Sequence, residues 1–301
     1  MALPRPDQRR VFRPARRVSW GTRIFAILVF LLAIGAVAAF VVLVIPTQIA
    51  ALTQTEAKEL RTARQASAAV AVSADTLWSE VGSKGGLSLP ADRLTQDLAL
   101  ARSTEKAADD ALGHVQAAQV ALAQIDGIPF QLHAPAVVVT DRPALVHLEK
   151  ALASAVKLAH GATLQLTIAQ HATQDAQKLA GPLNQSLATR DWTTASRTAD
   201  SIQQDLKSQE TAAADPEALL DPRWIAWMDG MISYATAAQQ FGLSTAANQT
   251  LTAQQQARAM AAATDRTNAA WAAAQAGAQA WQLKTVQALA DMLHKELAAA
   301  G

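Results

Sequence analysis

From Ile24 to Ile45 the chain runs for 22 residues without a charged or strongly polar side chain, and no other feature limits its fold as tightly. As a helix this stretch spans about 33 Å, against a hydrocarbon core of about 30 Å. Inside hydrocarbon the backbone must satisfy its own hydrogen bonds, so a lone span of this kind is helical. A secretory signal needs an apolar region of only about 7–15 residues before its cleavage site. Ala36-Val37-Ala38 offers such a site, yet Phe40-Val41-Val42-Leu43-Val44-Ile45 carries the apolar run beyond it. The stretch therefore reads as an uncleaved anchor, with a cleaved signal as the alternative.

The flanks supply an orientation. Arg5, Arg9, Arg10, Arg13, Arg16, Arg17 and Arg23 precede the run against Asp7 alone, and the first charges after it are Glu56 and Lys58. Basic residues close to a span are held on the cytoplasmic side. The expected topology is a single-pass protein of the cell membrane, with its N-terminus cytoplasmic and its C-terminus extracytoplasmic. The tail, residues 1–23, contains Pro4, Pro6 and Pro14 and reads as a disordered topology signal that also meets the anionic lipid bilayer surface. It is too short for nucleic acid and has only Phe12 and Trp20 as stacking rings, so no nucleic-acid partner is expected. Within the span, Gly35 and Ala39 form a small-residue pair of the kind that packs two spans together.

The rest of the 301-residue chain is alanine-rich, with seven Trp, six Phe and one Tyr. Alanine has the best helix propensity, and its small side chain lets helix backbones come close, so the composition suits packed helices and suits sheets poorly. There is no cysteine, which excludes disulfides, zinc knuckles, haem attachment and thiol nucleophiles. The bias toward alanine, and toward arginine over lysine, fits a GC-rich bacterial genome.

Beyond Pro46 the apolar positions step by three and four. Ile49, Leu52, Glu56, Leu60, Ala63, Ser67, Val70, Ala74, Leu77 and Val81 define one helix ending in the glycines at 82–86, and Leu94, Leu98, Ala101, Ala108, Leu112, Val115 and Leu122 define a second. Residues 46–126 are therefore expected to form a helical hairpin. Residues 127–140, with Pro129 and Pro135, read as a non-helical loop in which Val137-Val138-Val139 forms a short strand or a docked extended segment. Asp141 can then cap a helix with Pro143 in its first turn, which Gly181-Pro182 breaks. Asp215-Pro216 and Asp221-Pro222 mark two further starts. The second opens a helix carrying Trp224, Trp227, Met228, Met231 and Tyr234 and ending at Gly242. A final long helix from Ser244 to about Ala299 carries Trp271 and Trp281. Residues 141–301 thus read as a bundle with a long C-terminal helix.

Chemistry is harder to find. Asp110/His114 and His171/Asp175 are i, i+4 pairs and read as surface pairs rather than a metal site, which needs three or four converging ligands. No nucleophile elbow, zinc-helix motif, phosphate loop or dinucleotide fingerprint is present. No enzymatic activity, cofactor or metal is expected. Trp224, Trp227, Met228, Met231, Trp271 and Trp281 are large side chains in a chain otherwise cored by alanine. They read first as core filling, and otherwise as a partner or ligand surface.

The sequence thus predicts an all-α protein: one N-terminal transmembrane helix followed by an elongated antiparallel helical bundle with coiled-coil-like packing. Its expected role is a non-catalytic envelope scaffold that binds an envelope protein or a second copy through its helices. The alternative is a ligand-sensing bundle acting through an accessory partner.

Overall fold

A computed structural model describes residues 20–84, 89–128 and 136–301. The tail before Trp20, with Arg9, Arg10, Arg13, Arg16 and Arg17, lies outside the described residues, as do 85–88 of the glycine turn and 129–135 of the proline-flanked segment. Every regular element among the described residues is helical, and none is a strand.

The apolar helix continues through Pro46. Helix α1 (Trp20–Ala39) passes through a π-turn (Phe40–Val44) directly into α2 (Ile45–Lys84). The segments of 20, 5 and 40 residues make one helix about 100 Å long. Proline has no amide hydrogen, and its ring crowds the preceding turn, so an ordinary α-helix kinks there. Here the turn before it widens: the Ile45 amide donates to the Phe40 carbonyl, five residues back. The Thr47 hydroxyl donates to the carbonyls of Leu43 at 3.1 Å and Val44 at 2.8 Å. Among the described residues one helix is long and apolar enough to cross a membrane, and the apolar part of it is not buried within the protein.

Helix α3 (Ala91–Asp126) packs along α2, and α4 (Ala136–Lys178) along α3. Ala63, Ala101, Ala108, Ala111, Ala118, Ala151 and Ala155 are fully buried. Leu77, Leu94, Leu148 and Leu152 fill the space between them. Glu59 meets His114 across α2 and α3. Glu105 meets His160 and Gln119 meets Glu149 across α3 and α4.

Several boundaries differ from the expected ones. Helix α4 begins at Ala136, so Val139 and its neighbours are helical rather than extended, Asp141 caps nothing, and Pro143 sits inside the helix. Pro135 immediately precedes this helix in sequence, and proline suits a helix start. The expected break at Gly181-Pro182 is instead a second π-turn (Leu179–Leu183) that runs on into α5 (Asn184–Ala188). The Ser186 hydroxyl donates to the Pro182 carbonyl at 2.8 Å.

After a reversal with Arg190 at φ 62°, Asp191 caps α6 (Trp192–Ala213) by accepting from the Thr194 amide at 3.1 Å. Asp215 caps a single 3₁₀ turn (Pro216–Ala218), and Asp221 accepts from the Arg223 amide at the start of α7 (Arg223–Ala246). Helix α7 does not end at Gly242. A Cβ there would lie 3.6 Å from the Trp192 ring, an ordinary contact on the side of α7 that packs against α6. The actual reversal uses Asn248 at φ 55°, a conformation asparagine tolerates well. Helices α8 (Thr250–Thr285) and α9 (Gln287–Ala300) replace the expected single helix. The bend at Val286 between them carries no Gly or Pro, and it turns α9 onto α4 while α8 stays on α7. His147 meets Glu296 at 2.7 Å, His294 meets Asp75 at 2.9 Å, and Arg64 donates to the Ala300 carbonyl at 3.2 Å.

At Gly161 a Cβ would stand 2.4 Å from Leu219 Cδ1 and 2.9 Å from the Glu217 carbonyl, so α4 presents bare backbone to the link before α7. Leu219 itself is held at φ 45°. Gly161→Ala is expected to lower stability by about 1–3 kcal/mol, since the carbonyl cannot move aside as a side-chain tip would. Gly113→Ala, exposed on α3 with nothing within 4 Å, should raise it by roughly 0.5–1 kcal/mol. Urea unfolding followed by circular dichroism reads both.

Candidate interaction site around the tryptophan cluster

Trp224, Trp227, Met228 and Met231 recur at helical spacing on α7. Gly230 lets α8 come close: a Cβ there would meet Thr267 Oγ1 at 2.5 Å. That approach brings Trp271 over the pair. Its ring centroid lies 5.1 Å from those of Trp224 and Trp227, which are 6.0 Å from each other and nearly perpendicular. Trp224, Trp227, Met228 and Met231 are buried, and Trp271 is half-buried against them. The rings fill each other's space, so the cluster is first of all core.

Beside the cluster is an open groove of about 290 Å³. The second π-turn supplies Leu179, α5 supplies Asn184, α7 supplies Trp227, Met231 and Tyr234, and α8 supplies Thr267. Tyr234 donates from its hydroxyl to Asn184 Oδ1 at 2.7 Å, and burial pushes its phenol up from the ordinary value. Next to the same turn, the Lys178 ammonium bridges Asp175 on α4 at 2.6 Å and Asp205 on α6 at 3.1 Å. Burial holds the Asp175 carboxyl above its usual range, and the Lys178 and His171 charges offset this only partly. The groove is near the lower size limit of small-molecule sites, roughly 300 Å³.

Trp281 stands apart from the other three rings. With Trp78, Gln165, Asp221 and Trp224 it lines a cavity of about 10 Å³, room for about one water molecule. Trp78 Nε1 and Gln165 Oε1 are buried and have no hydrogen-bond partner among the described residues. Asp221 binds the Arg223 guanidinium at 2.7 Å, and Arg223 in turn donates to the Gly277 carbonyl at 3.0 Å. Trp78 and Gln165 were not among the residues the sequence nominated. Trp78 lies one position off the α2 stripe, and nothing local marks a glutamine as buried.

Glu56 was read as a position on the apolar stripe of α2, and it is fully buried there with both carboxylate oxygens unpartnered among the described residues. Burial, and then the nearby Asp141 charge, push its carboxyl up; Arg64 acts in the opposite direction.

The histidine pairing differs from the expected one. His114 does not pair with Asp110 on its own helix but reaches Glu59 on α2 at 2.5 Å. His147, His160 and His294 likewise meet carboxylates on other helices, at 2.7, 2.7 and 2.9 Å. His171 is sensed by Asp175 only as a nearby charge. Among the described residues no three His, Asp or Glu side chains converge on a point where a metal could sit.

In the apolar stretch, Ile24 and Ala39 are exposed, Gly35 has no other atoms within 4 Å of where a Cβ would stand, and Ile45 is buried at the foot of α2.

Two outcomes follow for purified protein. Trp224→Ala should cost roughly 3–5 kcal/mol in chemical unfolding, and Trp281→Ala clearly less, because only the first leaves a hole in the core. Glu56 has a folded-state value above its unfolded one. Its stabilising effect is complete below the ordinary carboxylate range and is lost as pH rises through the folded value. Glu56→Gln should therefore flatten the fall in stability from about pH 4 toward neutrality; an unchanged pH profile would remove Glu56 as its source.

Comparison of the chain with protein-family models, with characterised proteins and with solved structures gives no match.

Proposed function

We propose that this protein is a scaffold of the bacterial cell envelope, anchored in the cell membrane by Ile24–Ile45, with an elongated antiparallel helical bundle standing outside it. The observation that carries the reading is the unbroken helix from Trp20 to Lys84. Its first part is bare and apolar, and its second part supplies Leu60, Val70, Leu77 and Val81 to the core. A flexible joint between anchor and exodomain would suffice for simple tethering. A rigid one holds a helical surface at a set height and angle, which suits presentation to an envelope partner or to a second copy. The arginines before the span favour a cytoplasmic N-terminus. The side-chain meetings between α2 and α3, and between α3 and α4, favour the antiparallel arrangement.

The second reading is a ligand-sensing bundle, favoured by the groove beside Trp227 and Tyr234. Its shallow form and the self-packing of the tryptophans make it the weaker of the two.

Protease added to spheroplasts should remove a C-terminal epitope tag, and protection of the tag would overturn the orientation. Inserting a Gly-Ser linker between Pro46 and Thr47 should leave the protein in the membrane fraction but abolish crosslinks, formed in intact membranes, from exposed bundle positions to partner or self. Unchanged crosslinks would count against the rigid-scaffold role. Saturable quenching of tryptophan fluorescence by a metabolite, lost in Tyr234→Ala, would favour sensing.

A further inference from the structure

The register of the helices places one end of the bundle at the level where the span ends. Glu59 and His114 meet across α2 and α3. Twelve residues from Glu59 toward the span leads to Thr47, and twelve from His114 along α3 leads to Asp126, about 18 Å in each case. Asp126 is joined to Arg142 of α4 by an ion pair. Three residues before Arg142 comes Val139, about 4.5 Å closer to the span; Asp141 between them is near Glu56, so the patch lies within about two turns of Ile45 on the side of the packed helices. Val139 is 69% exposed and Val146 is 40% exposed. With Asp126, Arg142, Pro143 and Lys150 they line a broad, shallow concavity of about 570 Å³. Apolar side chains flanked by cations at the depth of the headgroups are what interfacial membrane contact requires.

We propose that this patch, Val139 and Val146 with Arg142 and Lys150, rests on the bilayer surface beside the span, with an anionic lipid headgroup in the concavity. The contact rests on the anchored reading given above and adds to it a second point of attachment. One point lets the bundle swing on the span, whereas two set its tilt.

The chain lacks cysteine, so single labels can be introduced cleanly. Leu32→Cys, Val139→Cys and Leu283→Cys, each exposed, would carry a nitrobenzoxadiazole label. Leu283 adjoins Gln282, which donates to the Trp78 carbonyl about 50 Å along the helix from Ile45. The full chain would be reconstituted in phosphatidylcholine–phosphatidylglycerol vesicles containing doxyl-labelled lipid. The expected result is a roughly twofold quench at Leu32 and at Val139, none at Leu283, and a smaller quench at Val139 when Lys150→Glu is added or phosphatidylglycerol is left out. Quenching at Leu32 but not at Val139 overturns the surface contact and leaves the anchor standing. A label at Val139 that is unquenched yet in an apolar environment would place a second copy over the patch and equally overturn the proposal. No quenching at Leu32 removes the anchor, and the contact with it.

Discussion

The architecture depends on a hydrogen-bond ladder that survives a proline. Pro46 lies where an apolar helix gives way to a polar one, and a kink there would uncouple the two. The π-turn at Phe40–Val44 accommodates the ring, and the Thr47 hydroxyl serves carbonyls in the disturbed turn. The same device recurs at Gly181-Pro182, where the chain again continues instead of breaking. Both wide turns lie at boundaries: one between the apolar segment and the core, the other beside the groove under Tyr234.

Above the first turn, the core is assembled from very small side chains, with the load concentrated at a few large ones. Alanines at the contacts of α2, α3 and α4 bring backbones together, so dispersion between backbone atoms does much of what leucines do elsewhere. Where α7 and α8 meet, the load falls on Trp224, packed against the Trp227 and Trp271 rings. Polar groups are trapped in this arrangement as well. Glu56 and Gln165 are held by packing rather than by partners, and each lowers stability relative to an apolar residue of its size.

The helical class, the apolar span and the main breaks in the chain were legible in the sequence, because three-four periodicity is a local signal. Gly181-Pro182 misled for a physical reason: Gly-Pro reads as a stop unless the turn before it can widen, and no residue pattern announces that. Gly242 looked like a helix end, yet α7 runs on to Ala246 and carries the glycine as a buried position inside it. The tryptophans were found by type, and Glu56 by its place on the stripe, but its lack of partners could not be read from α2 alone. The cross-helix histidine–carboxylate pairs were out of reach for the same reason. His114 has an acid four residues away on its own helix and uses a different one on α2.

A π-turn also holds one residue more than the α-turn it replaces, and each residue advances a helix by about 100°. The exposed apolar side of α1 and the core-facing side of α2 are therefore offset by that angle from where an unbroken α-helix would set them. Tightening this one turn would swivel the helices packed on α2 about the axis of the apolar helix without unfolding them, so their angular setting is decided by five apolar residues outside their core.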